Sequence, residues 1–351
     1  MQYIDVSSTQ IGVDMIRVGL IGCGGIAYAH AQCYKHIHEA KVVAVADVVK
    51  ERADEMADYL GAEALYNGDD IFSRKDIDMV DICLPSNMHC EYVMKAAKAG
   101  FHILCEKPIG LTVEEGKRMR DAAQDAGVKL MIAHVLRYFP EYENAKKVIE
   151  GGDIGRPVMV RTYRGGVHPG RIREWYEDVN VSGGAIHDMA IHDIDFLIHC
   201  FGDVKEVYAK GNAYEHERYN EYDVVMLEFK NGVLAHIEGD WSKPLGSPFV
   251  TKLEVVGTEG IYQHNSEDTS PILCQIDHTA SGTSNGVAIP ESPLAARSNP
   301  YGKEIIDFVH AIENNTDTPI SCDDAIKAIH ISLCAMESIK TGKKIYPKEV
   351  V

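Results

Sequence analysis

Asp188 and His192 stand four residues apart in the stretch SGGAIHDMAIHDID, residues 182–195. This spacing predicts that the two side chains share one face of a helix, one turn apart. With an ordinary pKa of about 6.5, histidine can accept a proton at neutral pH. His192 is therefore a candidate general base that removes a hydroxyl proton while hydride leaves the same carbon, and Asp188 would orient its imidazole.

Two other interpretations of this stretch stay open at this point. Carboxylates and imidazoles are normal metal ligands, so Asp188, His192 and Asp195 could hold a metal ion. Alternatively, the stretch is a solvent-exposed helix face, and its spacing is coincidental. In each case the pair Gly183-Gly184 predicts where the helix begins.

A glycine-rich loop near the start of the chain follows the first predicted strand and opens a helix. Gly22 permits a tight turn, Gly24 lets the backbone approach a diphosphate, and the small Ala27 lets helix and strand pack closely. Gly25 and Ile26 begin the helix, whose free N–H groups and partial positive charge would face the phosphates. The pattern predicts a dinucleotide-binding loop.

Asp47 ends the second predicted strand, twenty residues after Ala27. A carboxylate at this place accepts hydrogen bonds from the adenosine ribose and repels the extra phosphate of NADP. No arginine directly follows Asp47 to bind that phosphate, since the nearest basic residues are Lys50 and Arg52. We therefore expect NAD as the cofactor in preference to NADP. The competing interpretation is a structural turn with a surface aspartate.

The turn Glu106-Lys107-Pro108 follows another predicted strand. Ligands of open α/β sheets bind beyond the carboxyl ends of the strands, which places Lys107 where a nicotinamide and its substrate would meet. A lysine there could bind the reacting oxygen and stabilise its developing negative charge. Taken by itself, however, the tripeptide favours an ordinary charged turn.

A neighbouring predicted strand ends in Pro85-Ser86-Asn87, followed by His89. Because the carboxyl ends of parallel strands meet at one edge of the sheet, these residues are also candidates for cofactor contacts. Taken by themselves, Asn87 and His89 are more typical of the cap and first turn of the next helix.

The elements that position these residues follow from the apolar pattern. Between residues 16 and 133, short apolar strands alternate with helix-like segments, which predicts a parallel sheet with helices on both faces. The predicted strands are Arg17–Ile21, Val42–Ala46, Met79–Leu84, His102–Cys105 and Lys129–Ala133, and the clearest helices are Glu91–Ala99 and Val113–Ala126.

Beyond Pro140 the predicted strands follow one another without helices between them, which indicates a largely antiparallel sheet. Lys230-Asn231-Gly232 is a strong hairpin signal between two of them. Residues 266–300 are predicted to be long loops. The strands are Val158–Tyr163, Glu206–Ala209, Asp223–Phe229, Val233–Asp240 and Lys252–Val256, and the helices are Glu141–Glu150, Lys303–Asn314 and Asp323–Ser338.

The length of 351 residues suits two domains, and we place the division after residue 139, with residues 1–15 as an N-terminal extension that lacks the pattern of a signal peptide. No apolar run approaches the roughly 20 residues that cross a bilayer. The formal charge of −18 argues against nucleic acids and anionic membranes as partners, so local backbone dipoles must hold an anionic cofactor. Nine cysteines without a C-x-x-C pair indicate a reducing cytoplasm and no zinc site.

Five motifs occur in the order and at the spacing of one known family. They are the Gly22 loop, Pro85-Ser86-Asn87-x-His89, Glu106-Lys107-Pro108, Arg137-Tyr138-x-Pro140 and Gly183-Gly184-x-x-x-Asp188-x-x-x-His192-x-x-Asp195. On these residues the chain resembles, over nearly its whole length, the Gfo/Idh/MocA family of glucose–fructose oxidoreductase, inositol dehydrogenase and rhizopine-catabolism proteins.

This resemblance implies an α/β protein with an N-terminal Rossmann domain at residues 16–139. It implies a C-terminal α+β domain at residues 140–351, which binds the substrate and whose large, mostly antiparallel open sheet builds homodimers or homotetramers. Members of the family generally work without a metal. His187 and Phe139 depart from the family's usual residues, which leaves the substrate open.

The resemblance also assigns roles within the site. Lys107, Asp188 and His192 would form the catalytic set, and Glu106 with Lys107 would line the nicotinamide, before a Pro108 that is often preceded by a cis peptide. For the substrate, the matching positions near the mouth of the active site are Arg137 and Trp175.

The implied activity is an NAD-dependent oxidation of a secondary hydroxyl on a polyol, inositol or sugar-like substrate. Two other activities occur in the family: a glycosidase that retains its NAD, and a non-catalytic sensor that binds the dinucleotide. Sensors often lose the lysine or the histidine, and both Lys107 and His192 are present.

Overall fold

The computed structural model describes residues 15–171, 173–212, 221–268, 272–276 and 299–351, with residues 272–276 described by their backbone only. The predicted N-terminal extension, apart from its last residue, and most of the loops predicted at 266–300 lie outside the described residues. Two sheets organise the described chain.

The first sheet has six parallel strands, which run in the order β3-β2-β1-β4-β5-β6. They are β1 (Ile16–Ile21), β2 (Ala40–Ala46), β3 (Glu63–Leu65), β4 (Met79–Ile82), β5 (His102–Glu106) and β6 (Leu130–Ala133). Central side chains such as Leu20 and Leu104 are fully buried, as expected for strands covered on both faces. The predicted doubly wound Rossmann fold is confirmed. Its strand order reverses between β1 and β4, where such sheets bind ligands.

Four helices connect these strands and cover both faces of the sheet. They are α1 (Gly25–Tyr34), α2 (Lys50–Leu60), α3 (His89–Ala99) and α4 (Val113–Ala126). Thr112 caps α4 by accepting a hydrogen bond from the Glu115 N–H at 3.1 Å. Gly127, in the left-handed region, ends the same helix.

The second sheet has seven strands in the order β13-β12-β11-β7-β10-β9-β8. They are β7 (Pro157–Val167), β8 (Val204–Gly211), β9 (Tyr222–Phe229), β10 (Leu234–Lys243), β11 (Val250–Gly257), β12 (Gly260–Asn265) and β13 (Ile272–Ile276). Only β7 and β10 pair in parallel among the described strands of this sheet, so the mostly antiparallel sheet is confirmed. The predicted hairpin closes between Phe229 and Val233.

One local prediction for this half of the chain needs correction, and another agrees with the structure. A loop was predicted where β13 lies, because its short apolar run sits inside a polar, poorly periodic stretch. The helical run begins at Gly184, as the Gly183-Gly184 pair predicted, and the two glycines have φ of 78° and 72°. These positive angles belong to the turn that redirects the chain into the helix, where glycine is favoured.

Helices from the second half of the chain pack on both sheets. They are α5 (Pro140–Gly151), α6 (Val179–Ser182), α7 (Ile191–Phe201), α8 (Pro300–Glu313) and α9 (Cys322–Thr341), and a π-helical turn at Ile186–Ala190 leads into α7. Phe196 of α7 and Ala335 of α9 pack on one face of the second sheet. Ile305 and Phe308 of α8, by contrast, share a core with Leu20. Core packing therefore crosses the predicted division after residue 139.

The opposite face of the second sheet carries exposed apolar side chains. Met226 and Leu234 are 45% and 48% exposed, and Tyr222 is 37% exposed. No helix among the described residues is both long and apolar enough to cross a membrane.

Candidate active site

The glycine-rich loop between β1 and α1 has the geometry of a phosphate cradle. Gly22 has φ of 91°, and a side chain there would collide with the Cys83 carbonyl that follows β4. A side chain at Gly24 would meet no described atom within 4 Å, so the backbone is open on this side. The first turn of α1, which includes Gly25 and Ile26, has neither a side-chain cap nor an acidic residue. Its N–H groups are therefore available to an anion.

Arg173, from the segment between β7 and α6, lies against this loop. Its guanidinium approaches Gly25 so closely that any side chain at that position would overlap Nη2. A cation at a helix N-terminus is unfavourable unless an anion compensates it. The placement therefore favours a bound diphosphate. The second half of the chain thus places a positive side chain beside the backbone dipoles that are predicted to hold the cofactor.

Asp47 follows β2 and is fixed beside the same loop. Its two carboxylate oxygens accept hydrogen bonds from the N–H groups of Cys23 and Val49, each at 2.8 Å. Each oxygen keeps a second lone pair for a ribose hydroxyl. The open loop, the uncapped helix and this fixed carboxylate together fit an adenine dinucleotide.

Lys107, directly after β5, reaches the second half of the chain. Its ammonium group donates hydrogen bonds to the Asp188 carboxylate at 2.7 Å and to the Asp188 carbonyl oxygen at 2.6 Å. The two side chains are only 12% and 18% exposed, so water screens their attraction little. The peptide between Lys107 and Pro108 is cis, as the resemblance implied. The structure thus brings together two of the three predicted catalytic residues.

Asp188 does not orient the His192 imidazole, which corrects our prediction from their spacing. Asp188 lies in the π-helical turn, whose wider winding changes the direction of side chains relative to an α-helix. Its carboxylate binds Lys107, whereas His192 Nδ1 is buried without a hydrogen-bond partner among the described residues.

His192, at the start of α7, is poised to accept a proton. Burial lowers its pKa well below the ordinary value, and the nearby charges of Lys107, Arg164 and His134 lower it further. The imidazole is therefore neutral at pH 7, which is the form that a general base needs. The ordinary pKa assumed from the sequence is too high for this site.

The remaining polar side chains of this helix are buried and paired inside the protein. Asp193 forms an ion pair with Arg164 at 2.8 Å, and His187 Nδ1 lies 2.6 Å from the Ser332 hydroxyl. Asp193 and His187 are 0% and 2% exposed, so the alternative of a solvent-exposed helix face is wrong.

The alternative of a metal site has no geometric support at the predicted residues. Asp188 binds Lys107, and Asp195 binds a buried arginine, so these carboxylates do not converge with His192. Within the described parts of the chain, the one cluster with metal-ligand geometry is elsewhere and consists of His30, Asp81 and Cys83.

Arg137, which was expected near the mouth of the site, is the partner of Asp195. Its side chain is 6% exposed, donates two hydrogen bonds to Asp195 at 2.6 and 2.8 Å, and lies 3.3 Å from Asp324. This arrangement favours a structural role for Arg137 over contact with a substrate.

The four candidates in the turn after β4 differ in exposure. Asn87 is exposed, next to a half-buried Pro85 and a buried Ser86. His89 is 1% exposed, and its ring nitrogens lie 2.7 and 2.8 Å from the carbonyl oxygens of Pro108 and Leu84. His89 thus ties the turns after β4 and β5 together, which favours a positioning role. The side chain of Glu106 is also buried.

Trp175 packs against its neighbour Tyr176, which lies close to Asp188 and Arg173. The two aromatic rings stack at 3.7 Å, and Tyr176 packs edge-on against the buried Trp241. Burial raises the pKa of Tyr176, the negative charge of Asp188 raises it further, and a hydrogen bond from Arg173 opposes the rise. The sequence interpretation missed both Tyr176 and Arg173. Their position beside Trp175 was the available signal.

Comparison with known proteins agrees with this geometry. A family model described as an oxidoreductase family with an NAD-binding Rossmann fold matches residues 16–134, and a model of the GFO/IDH/MocA C-terminal domain matches residues 142–263. The chain belongs to the Gfo/Idh/MocA family. It is therefore an oxidoreductase with an NAD-binding domain.

Relatives match along almost the full chain. An uncharacterized oxidoreductase of Bacillus subtilis, YrbE, is 30% identical over 94% of this chain and 96% of its own. A myo-inositol 2-dehydrogenase of Thermotoga maritima is 28% identical over 96% of this chain and all of its own. Among solved structures, a levoglucosan dehydrogenase in complex with NADH and levoglucosan has the same fold, with a TM-score of 0.79, 24% identity and coverage of 95% and 99%.

Proposed function

We propose that the protein is an NAD-dependent dehydrogenase that oxidises a secondary hydroxyl of a polyol, inositol or sugar-like substrate. The observation that carries the proposal is the buried pair of Lys107 and Asp188, which lies close enough to His192 for the lysine charge to lower the pKa of the imidazole. This group stands at the carboxyl end of β5, where an open α/β sheet presents its ligands.

The side chains divide the chemistry among them. His192 accepts the hydroxyl proton as the C–H bond breaks, so that the alcohol carbon loses a hydride and becomes a carbonyl. An ammonium group has three N–H donors, and two of those of Lys107 bind Asp188, which leaves one for the substrate oxygen. When bound, NAD+ supplies the hydride acceptor, which no side chain provides.

The cofactor would lie along the edge of the first sheet. Gly22, Gly24 and the first turn of α1 would hold its diphosphate, and Arg173 would close over it from the other side. Asp47 would bind the adenosine ribose and repel a 2′-phosphate, which favours NAD over NADP.

The substrate class is supported by the relatives rather than by a defined pocket. The Thermotoga maritima relative is a myo-inositol 2-dehydrogenase, and the solved structure is that of a levoglucosan dehydrogenase. A further relative, from Bacillus subtilis and 28% identical, is a scyllo-inositol 2-dehydrogenase that uses NAD+. Trp175 offers an aromatic face of the kind that packs against sugar rings.

The test follows nicotinamide absorbance over a panel of inositols, aldoses, polyols and glycosides, with NAD and NADP compared. We expect NAD reduction with a polyol or sugar, and we expect His192→Ala to abolish most turnover while it leaves NADH binding intact. Because the pKa of His192 is lowered, kcat/KM should rise with pH only below about 6.5 and stay level above it. Unchanged turnover of H192A would contradict the role of His192. Release of a leaving group from a glycoside without net NAD reduction would indicate a glycosidase, and the absence of any turnover would indicate a sensor.

We also propose that a second copy of the chain covers the open face of the second sheet, in a homodimer or homotetramer. Tyr222, Met226 and Leu234 leave an apolar surface on this face that association would bury. Met226→Glu should lower the molar mass measured by light scattering; an unchanged mass, or a monomeric parent protein, would contradict the proposal.

A further inference from the structure

His30 makes an unusual connection beneath the active site. It lies on the inner face of α1 with no exposed surface. Its Nδ1 is 2.8 Å from the Asp81 carboxylate of β4, and its Nε2 is 3.2 Å from the Glu106 carboxylate at the end of β5. One imidazole thus bridges two carboxylates and joins three elements of the first domain.

The bridge is anchored more firmly at Asp81 than at Glu106. Asp81 also accepts a hydrogen bond from the Tyr34 hydroxyl at 3.0 Å, and both it and His30 are completely buried. The contact with Glu106 has ion-pair distance without hydrogen-bond alignment. The Glu106 end therefore has room to adjust, whereas the Asp81 end is fixed.

Stability alone does not explain such a group. Removing charges from water costs several kcal/mol for each ion, and apolar residues of the same volume are often equally or more stabilising. A buried ionic bridge is therefore more reasonably explained by the geometry that it imposes.

The groups around His30 favour the protonated, positively charged form of its imidazole. Burial lowers the pKa of His30, but the negative charge of Asp81 and its hydrogen bond with His30 outweigh this effect, so the pKa is raised well above the ordinary value. Burial also raises the pKa of Glu304 on α8 well above its ordinary value, and the charge of Glu106 raises it further. The titratable groups that face His30 are Cys33 and Tyr34 of α1, Asp81 and Cys83 at β4, Glu106 of β5, and Tyr301 and Glu304 of α8.

The bridge ends next to the proposed catalytic lysine. Glu106 immediately precedes Lys107 and accepts a hydrogen bond from the Lys107 N–H at 3.2 Å. Helix α1, at the other end, begins at the loop that fits the cofactor diphosphate. We propose that His30 is a positioning residue that fixes the Glu106–Lys107 turn against the cofactor-binding helix by bridging Asp81 and Glu106. This inference rests on the proposed catalytic role of Lys107.

The test compares His30→Gln with Tyr34→Phe, which removes a neighbouring bond to the same Asp81 but does not touch Glu106. Misplacing a catalytic group by about 1 Å can cost about 100-fold in rate, so we expect H30Q to lower kcat by about 10- to 100-fold. The NADH dissociation constant should change by less than about threefold, because Gly22 and Gly24 are untouched. Y34F should lose thermal stability but keep kcat.

A double-mutant cycle separates positioning from general destabilisation. If His30 acts through Glu106, then H30Q combined with Glu106→Gln should lower kcat no further than the worse single variant. Losses that multiply would overturn the inference, as would a loss of kcat in Y34F equal to that in H30Q. If H30Q does not fold, E106Q must itself lower kcat at constant NADH affinity, and a fully active E106Q would overturn the inference.

The outcome for Lys107 distinguishes this inference from the proposed function. An active Lys107→Ala variant would remove the basis of both. An inactive K107A variant together with a fully active H30Q would overturn only the role of His30.

Discussion

The two edges of the active site are built from different materials. The cofactor edge is mostly backbone: the loop from Gly22 to Gly25, the uncapped start of α1 and one fixed carboxylate, Asp47. The proposed reaction edge consists of side chains: Lys107 pairs with Asp188, and His192 is near enough to feel the lysine charge, only because two halves of the chain pack together. A substitution that adds a side chain should therefore impair the cofactor edge, whereas a substitution that removes a side chain should impair the reaction edge.

The largest effect is expected at the reaction edge. Lys107→Ala removes the charge that would stabilise the reacting oxygen, and losing such a group typically costs about 100- to 1,000-fold in kcat. The NADH dissociation constant, measured by fluorescence titration, should stay within about threefold. A K107A variant that loses NADH affinity as strongly as kcat would contradict the division between the edges.

The next effect tests the backbone edge. Gly22→Ala adds one carbon against the Cys83 carbonyl at a positive φ, where strain costs about 1–3 kcal/mol. We expect at least about a tenfold loss of NADH affinity. Gly61→Ala is the matched control: Gly61 also has a positive φ of 66° but open space around it, so G61A should lower thermal stability without changing NADH affinity. Equal affinities for the two variants would contradict the proposed cradle.

Arg173 tests the one side chain from the second half that reaches the cofactor edge. A hydrogen bond to a charged group contributes about 1.5–3 kcal/mol, so Arg173→Gln should weaken the binding of NADH and of ADP-ribose by about tenfold or more. The binding of adenosine, which lacks the diphosphate, should not change. Arg171→Gln removes the same charge from the same segment and serves as the control. If R171Q and R173Q lose the same affinity for NADH, the effect depends on the net charge of the protein and not on the position of Arg173.

The last prediction concerns stability, not activity or cofactor affinity, at the buried side of the reaction edge. Burial lowers the pKa of His187 to about 4. Below pH 6.5 the His187 imidazole is protonated in the unfolded chain but stays neutral in the folded protein. Its contribution to the free energy of unfolding is therefore complete above pH 6.5 and is lost as the pH falls toward 4. The loss attributable to His187 is about 3 kcal/mol. His30 has the opposite sign, because its raised pKa makes its contribution largest at low pH and lost as the pH rises.

Urea unfolding at pH 7 and pH 4.5 checks this assignment. His187→Asn should lose less stability between the two pH values than the parent protein, whereas H30Q should lose more. If H187N and the parent protein lose the same stability between pH 7 and pH 4.5, groups other than His187 cause the loss of stability at acid pH.

Local patterns in the sequence predicted five of the six strands of the first domain and missed only the three-residue strand β3. Strand and helix positions, the Gly22 turn and the place of Asp47 follow from short-range rules, because apolar runs, turn glycines and helix caps act on their immediate neighbours. The alternation of the second sheet and its hairpin followed in the same way. The strands β12 and β13 did not, because both are short and their pairing is a tertiary contact.

The tertiary structure alone decided the partners of the polar residues. The sequence spacing paired Asp188 with His192, and the family resemblance implied that Arg137 lies near the substrate. In the fold, Asp188 lies in a π-helical turn and binds Lys107, and the buried Arg137 forms an ion pair with Asp195. His30, Asp81 and Glu106 lie far apart in the sequence and meet only where α1, β4 and β5 pack. The sequence thus determined which residues could do chemistry, while burial and long-range pairing determined which of them act together, since a buried charge must find its partner wherever the fold places one.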